Sequence, residues 1–110
     1  MPDRYKIEWA PVAERDLHEI LEYIAMRDTA DAAVAVYQKI MGKVENLHVH
    51  PTRCRIPPEL NRLGVREYRE LVIPPYGVFF RITGPTVGIL AVLDRRRDLE
   101  EIVIQRALRL

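Results

Sequence analysis

The sequence contains no serine and only one cysteine. The absence of serine excludes hydrolysis by a serine nucleophile. Cys54 alone cannot form an internal disulfide, which suits a reducing cytoplasm. The longest apolar stretch, Val87 to Leu93, is far too short to span a bilayer, and the charged opening MPDRYKIEW does not have the pattern of a signal peptide. We therefore expect a cytoplasmic protein that does not act on a membrane.

The chain also has little net charge and is short. Its 110 residues are 48% hydrophobic and 30% charged, which predicts one domain over residues 1–110. The formal net charge of +1 does not by itself indicate a nucleic-acid partner. The distribution is uneven, because residues 1–50 hold six Lys or Arg against nine Asp or Glu, and residues 51–110 hold eleven against seven. Those eleven cations are all arginine, which is suited to bidentate pairing with carboxylates or phosphates.

The first half of the chain has the pattern of a strand followed by two helices. Apolar and charged residues alternate in YKIEW, which predicts a half-buried strand, and a proline then begins the first helix. The apolar stripe of this helix is Ala13, Leu17, Ile20, Leu21 and Ile24. After the break RDTAD, the stripe of the second helix is Ala33, Val36, Tyr37, Ile40, Val44 and Leu47. The break is short, so the two helices form an antiparallel hairpin.

The second half has the pattern of three strands and a helix. EYRELVI, YGVFFRI and VGILAVL each predict a strand, and the short TGPT predicts a hairpin between the last two. VGILAVL is apolar on both faces, so we place it in the centre of the sheet. The prolines and glycine of residues 50–65 indicate an ordered loop. Asp98 and Glu101 have the spacing of a capping box before a short terminal helix.

These elements predict an α+β domain: an N-terminal strand, a helical hairpin packed on a small, mostly antiparallel four-stranded sheet, and a short C-terminal helix. Two clusters in it could carry chemistry. The run Arg95 to Arg97 at the end of the apolar strand fits either a solvated cluster paired with Asp98 or Glu100, or an edge that binds anions. The segment HVHPTRC gathers two histidines and a cysteine, but the spacing matches no standard zinc pattern, so we predict no metal and no cofactor.

Two stretches of the sequence resemble the toxins of the RelE/ParE superfamily of bacterial type II toxin–antitoxin pairs. YKIEWAPVAERDLHEILEYIA is similar to the family's opening strand and first helix. PPYGVFFRITGPTVGILAVLDRRRDLE is similar to its closing hairpin, in which an apolar strand leads into an arginine-rich end. The order and spacing of these pieces carry the resemblance over nearly the whole chain. The long helical hairpin, with Asp16-Leu17 and Tyr23-Ile24 in its first helix, is more similar to the ParE-like members.

The resemblance implies one of two activities. ParE-like toxins bind DNA gyrase without a catalytic site, and a cognate antitoxin neutralises them, which here would be a ParD-like protein with an acidic amphipathic segment. RelE-like toxins are ribosome-dependent ribonucleases that cut mRNA. A member that has lost its toxicity and only binds an antitoxin is the third alternative. We interpret the chain as ParE-like and non-enzymatic, with the endoribonuclease as the alternative.

The resemblance also implies the candidate residues. Where ribonuclease members have an arginine after the tyrosine of the penultimate strand, this chain has Gly77 after Tyr76; where they have a tyrosine in the last helix, it has Glu101, Ile102 and Val103. Asp94 stands where many relatives have histidine. A ribonuclease would therefore have to use Arg81 and Arg95 as cations and Tyr76 or Glu101 for proton transfer. The candidate residues for binding the target or the antitoxin are Arg69, Arg81, Arg95, Arg96 and Arg97.

Overall fold

The computed structural model describes residues 3–97 and 99–108 and confirms the α+β class. Four strands form one sheet in the order β1-β4-β3-β2: β1 (Lys6–Trp9), β2 (Tyr68–Ile73), β3 (Tyr76–Thr83) and β4 (Thr86–Asp94). β1 is parallel to β4, and the other neighbours are antiparallel. The prediction that the last strand is central is confirmed, since β4 lies between β1 and β3.

The helical hairpin consists of α1 (Pro11–Arg27) and α2 (Ala30–Val44). Pro11 occupies the first helical position of α1, where the missing N–H costs nothing. Thr29 caps α2 by accepting a hydrogen bond from the backbone N–H of Ala32 at 3.0 Å. Two residues of the predicted apolar stripes differ. Tyr37 is 44% exposed and lines a surface pocket with Met41, and the buried Leu47 lies beyond α2, in a 3₁₀ turn, Glu45–His48.

The prediction of a plain loop over residues 50–65 is wrong in detail. The segment contains a 3₁₀ turn, Pro51–Arg53, and a one-turn helix, α3 (Pro58–Asn61). Pro58 has the fixed φ angle that suits the start of a helix, and the buried side chain of Leu60 holds the turn against the sheet. Gly64 has a φ angle of 75°, which allows the chain to reverse direction after α3.

The sheet buries apolar side chains on both faces. One face packs against α1 and α2 through residues that include Val78, Phe80 and Ile89. The other face packs Phe79 and Ala91 against α3 and α4 (Glu100–Leu108). In α4, Val103 is buried, whereas Asp98 of the predicted capping box lies outside the described residues.

A β-bulge in β4 decides which way the end of this strand faces. Phe80 pairs with Ile89 and Phe79 with Ala91, so Leu90 is an extra residue between the two pairs. The bulge shifts the alternation, and consequently Val92 faces α1 whereas Leu93 packs on the α4 side. The bulge therefore also affects the side of the sheet on which each of the following arginines lies.

Candidate functional site

The predicted arginine run extends from the end of β4. The backbone N–H of Arg95 donates to the carbonyl of Pro75 at 2.7 Å, which continues the pairing with β3 for one residue. The chain then turns, and the N–H of Arg97 donates to the carbonyl of Asp94 at 3.2 Å. Arg95 lies on the α3 side of the sheet, whereas Asp94 and Arg96 line a groove on the α1 side. The three arginines therefore do not form one cluster.

Arg95 is held in a buried ion-pair network around Glu70 of β2. Its Nε lies 2.7 Å from Oε2 of Glu70, and its Nη2 donates to Oε1 at 2.8 Å. Arg55 donates to the same Oε1 through Nε at 3.0 Å. Glu59 of α3 accepts hydrogen bonds from Arg95 on the outer side. Glu70 is 1% exposed, and Arg95 and Glu59 are largely buried, whereas the side chain of Arg55 is 48% exposed. The two carboxylates and two guanidinium groups balance in formal charge.

The two carboxyl groups of the network differ in acidity. Burial raises the pKa of Glu70, and the charges of Arg95 and Arg55 only partly oppose this effect. Burial also acts to raise the pKa of Glu59, but hydrogen bonds and charge from Arg95 outweigh it, so the pKa is lowered. The positive charge of Arg95 favours the ionised state of both carboxylates. The carboxylates of Glu59 and Glu70 in turn balance the charge of Arg95 within the protein.

Gly77 makes room for this network. A Cβ atom on Gly77 would lie 2.2 Å from Oε2 of Glu70, a distance at which one of the two must move. The φ angle of Gly77 is not positive, so the position requires glycine for space and not for backbone freedom. The carboxylate of Glu70 therefore fills the volume in which a residue at position 77 would carry its side chain.

On the opposite side of the sheet, Tyr76 and the end of β4 form a groove with α1, which we call the α1–β4 groove. Its volume is about 510 Å³, and it is lined by Asp16, Glu19, Ile20, Tyr23 and Ile24 of α1, by Tyr76, Val92, Leu93 and Asp94 of the sheet, and by Arg96 and Arg97. Arg96 is exposed and donates to Asp94 at 3.0 and 2.7 Å. These hydrogen bonds lower the pKa of Asp94. Burial, with the charge of Asp94, raises the pKa of Tyr76.

The remaining candidates lie elsewhere. The guanidinium carbon of Arg81 lies 5.9 Å from the centroid of the Tyr68 ring. Arg81 stands five residues along β3 from Tyr76, which corresponds to roughly 17 Å. Arg69 donates to the carbonyls of Thr52 and Cys54 at 3.1 and 2.8 Å and holds the loop against β2. Glu101 accepts a hydrogen bond from Gln105 within α4. Of the predicted residues, the structure therefore brings Tyr76, Arg96 and Arg97 to one groove, and it does not assemble Arg81, Arg95, Tyr76 and Glu101.

His50 and Cys54 of HVHPTRC line one surface pocket, whereas His48 does not line it. Nδ1 of His48 lies 2.7 Å from the carbonyl of Tyr5, and among residues 3–97 and 99–108 no group of three His, Cys, Asp or Glu side chains could hold a metal ion. Burial raises the pKa of Cys54, with Arg69 acting in the opposite direction. Within the same ranges, no helix is long and apolar enough to cross a membrane.

Sequence reasoning missed two interactions. The first is the Glu70 network; the alternation of β2 does place Glu70 on the same face as the buried Tyr68, which was a signal that its carboxylate needs partners. The second is the bidentate pair between Arg106 and Asp16, at 2.8 and 2.9 Å. These residues are far apart in sequence, and no local pattern connects them.

Comparison with known proteins gives a consistent result. The family model of the ParE toxin of the type II toxin–antitoxin system parDE matches residues 7–99. A chain from the chromosomal ParDE toxin–antitoxin system of P. aeruginosa is 22% identical, with a TM-score of 0.72 over 84% of this chain and 98% of that one. A chain of the RelBE2 toxin–antitoxin complex from Mycobacterium tuberculosis is 24% identical, with a TM-score of 0.58 over 88% and 98%. No curated protein matches.

Proposed function

The chain belongs to the ParE toxin family of type II toxin–antitoxin systems, and on that premise we propose that it inhibits DNA gyrase by binding and is neutralised by a cognate antitoxin. This proposal follows the interpretation of the sequence as a ParE-like toxin that is not an enzyme. Its targets, gyrase or alternatively the ribosome, put the site of action in the cytoplasm. The antitoxin partner is supported by the two structural relatives, both of which come from toxin–antitoxin systems.

The observation that carries the non-enzymatic proposal is the Glu70 network. Cleavage of RNA through its own 2′-hydroxyl requires a base, an acid and cations on the phosphate. Arg95, the strand-end cation of the resemblance, is neutralised by Glu70 and Glu59, and the space beside Gly77 is filled by a carboxylate. A phosphate there would meet two negative charges, and separating Arg95 from its partners would cost several kcal/mol, on the order of the 3–5 kcal/mol typical of broken buried pairs.

Proton transfer also has poor candidates. Tyr76 has a raised pKa, so very little tyrosinate exists at neutral pH to act as a base. The charge of Arg96 acts on Tyr76, but the side chain of Arg96 is 70% exposed and paired with Asp94. Glu101 is exposed on α4 and contacts Gln105. These facts favour binding of a protein target over catalysis.

The test is induced expression with two readouts in the same cells. A reporter of the DNA-damage response should rise within minutes of induction, while primer extension on abundant transcripts should show no new ends at codon positions in the ribosome. Co-expression of the protein encoded by the adjoining gene should abolish the response. New codon-positioned ends without DNA damage would establish the ribonuclease alternative, and an absence of any effect on growth would mean that this member has lost its toxicity.

A further inference from the structure

A second open groove runs along β2, the edge strand on the side of the sheet away from β1. It is lined, among others, by His50, Arg53 and Arg55 of the loop that follows α2 and by Glu70, Leu71 and Val72 of β2. Its volume is about 590 Å³, and we call it the β2-edge groove. It shares no lining residue with the α1–β4 groove, so the two surfaces can hold different ligands.

The two arginines of this groove have guanidinium groups available for a ligand. Arg53 is exposed, and its side chain makes no hydrogen bond or ion pair with residues 3–97 or 99–108. Arg55 directs Nε and Nη2 at Oε1 of Glu70, at 3.0 and 2.9 Å, and within those ranges its Nη1 has no partner. The groove therefore presents strong hydrogen-bond donors that the protein itself does not use.

The backbone that carries Arg53 is held in place by Arg69. Nη1 of Arg69 donates to the two carbonyls that flank Arg53, those of Thr52 and Cys54, at 3.1 and 2.8 Å. On the N-terminal side, the buried Pro51 begins the 3₁₀ turn that ends at Arg53. A ligand of Arg53 therefore meets a loop that is already ordered, which reduces the entropic cost of binding.

The accessible charges of the groove are all positive. Among the described residues, Glu70 is the only acidic one that lines it, and its carboxylate is buried and paired with Arg55 and Arg95. Glu45, which is close in sequence, lies 3.5 Å from Nε2 of His48 and does not line the groove. The α1–β4 groove, by contrast, is lined by carboxylates of both α1 and β4. An anionic ligand is therefore favoured in the β2-edge groove.

The backbone of β2 offers an acidic peptide little to pair with. The N–H of Glu70 points outward and donates to the carbonyl of Arg55 at 2.8 Å. Outward-facing groups recur at every second residue of the strand, so Val72 is the next, and it is also the last because β2 ends at Ile73. A strand added beyond the Arg55 bridge would pair at one residue, far fewer than an ordinary strand uses. Recognition here therefore depends on the arginine side chains.

These features fit the phosphate backbone of a DNA duplex. Guanidinium groups bind phosphate oxygens through paired N–H donors. Arg53 and Arg55 are two residues apart, so their Cα atoms are separated by at most about 7 Å and both can contact one short stretch of a phosphate chain. Within the described part of the chain, no Phe, Tyr or Trp lines the groove, so the base stacking that stabilises bound single strands is not offered. The chemistry favours a duplex held through its phosphates.

We propose that the β2-edge groove binds the phosphate backbone of duplex DNA through Arg53 and Arg55, and that Arg69 is a positioning residue for the loop that carries Arg53. The inference rests on the proposed function, because the DNA concerned is the segment held by the gyrase that the toxin inhibits. Two phosphate contacts give weak binding on free DNA and no sequence preference. On the gyrase–DNA complex they add to the protein contact, because the DNA is then at a high effective concentration.

The first experiment measures binding of purified toxin to a fluorescein-labelled DNA duplex of mixed sequence by anisotropy. With two phosphate contacts, log affinity should fall against log salt with a slope of about −1.8, which is roughly a tenfold loss between about 50 and 200 mM. Arg53→Glu should bind at least about fivefold more weakly and reduce the slope by about 1. Arg15→Glu makes the same change of charge at an exposed position of α1 outside the groove, and it should stay within about twofold of wild type. Both exposed variants should keep the wild-type melting temperature.

Two competitors identify the class of ligand. Unlabelled duplex should displace the labelled duplex at a lower concentration than polyglutamate or single-stranded RNA of equal total charge. Equal displacement by polyglutamate would overturn the DNA assignment in favour of an acidic protein segment. Duplex binding that Arg53→Glu leaves unchanged would overturn the groove.

The second experiment separates this inference from the proposed function. In a cleavage reaction with gyrase and supercoiled plasmid, Arg53→Glu should require at least about fivefold more toxin than wild type or Arg15→Glu for the same yield of linear DNA. Equal potency of the three proteins would overturn the inference and leave the proposed function standing. A wild-type toxin that binds the duplex but produces no gyrase-linked DNA would instead refute the proposed function.

Discussion

Replacing Gly77 by alanine should destabilise the protein, although the same change in a strand normally has the opposite effect. Alanine in a strand interior is ordinarily favoured over glycine by roughly 0.5–1 kcal/mol, because glycine loses more conformational entropy on folding. At position 77 the new Cβ would lie 2.2 Å from Oε2 of Glu70. The carboxylate is fixed by Arg55 and Arg95 and is almost fully buried, so it cannot move aside freely.

The expected size follows from two contributions. Forcing one extra carbon into a packed site costs about 1–3 kcal/mol. Displacing Glu70 also weakens its contacts with the arginines, and part of the 3–5 kcal/mol typical of a broken buried pair is added. We expect Gly77→Ala to lower the free energy of unfolding by about 2–4 kcal/mol, which corresponds to a fall in melting temperature of roughly 9–17 °C.

Urea denaturation followed by circular dichroism measures the effect, with Gly88→Ala as the matched control. Gly88 lies in the neighbouring strand, and the nearest atom to its added Cβ is the carbonyl oxygen of Arg81 at 3.8 Å, an ordinary contact. This control should be neutral or slightly stabilising. In a Glu70→Ala background, Gly77→Ala should cost almost nothing, which gives a coupling free energy of about 2–4 kcal/mol between the two positions. A stabilising Gly77→Ala, or additive effects in the double variant, would refute the assignment of Glu70 to this space.

Three further predictions concern other ion pairs. Arg95→Ala should lower the free energy of unfolding by about 3–5 kcal/mol, whereas Arg97→Ala should change it by less than about 0.5 kcal/mol; similar losses in urea titrations of both would contradict the division between them. The lowered pKa of Glu59 means that its ionised form stabilises the fold above its unfolded value of about 4.3 and that this contribution is lost as the pH falls through the folded pKa. The stability difference between wild type and Glu59→Gln should therefore shrink from pH 7 to pH 3, and a constant difference would exclude the ion pair as its cause. Asp16→Ala should cost about 2–3 kcal/mol and speed amide exchange in α4, because Arg106 and a strand N–H lose their acceptor; unchanged exchange would mean that the pair does not hold the helix.

Most of the fold could be predicted from the periodicity of the apolar residues and from the short breaks between the elements. The strand alternation, the helical stripes and the short breaks are local signals, and they correctly place β4 in the centre of the sheet. The bulge at Leu90 has no such signal, because a run that is apolar on both faces hides a shift of alternation. The one-turn helix α3 was missed since its prolines indicate a loop as readily as a helix start.

The candidate site was harder to predict because its decisive contacts are long-range. Three adjacent arginines look equivalent in sequence, yet the strand end sends Arg95 to Glu70 and Glu59 and leaves Arg97 exposed. The carboxylates concerned lie 25 and 36 residues away in the chain. Gly77 was recognised as a departure from the ribonuclease pattern, but its reason, the buried carboxylate of Glu70, depends on the pairing of β2 with β3.

The most direct test of the proposed function is a cleavage reaction with purified gyrase, supercoiled plasmid and this protein. We predict that the toxin converts plasmid to gyrase-linked linear DNA and that prior addition of the antitoxin prevents cleavage. Arg97→Glu is assayed in the same reaction, with Arg15→Glu as its surface control. In a parallel translation reaction, the same preparation should leave ribosome-bound mRNA intact. Intact plasmid together with codon-positioned cuts in the mRNA would contradict the account and establish a ribonuclease.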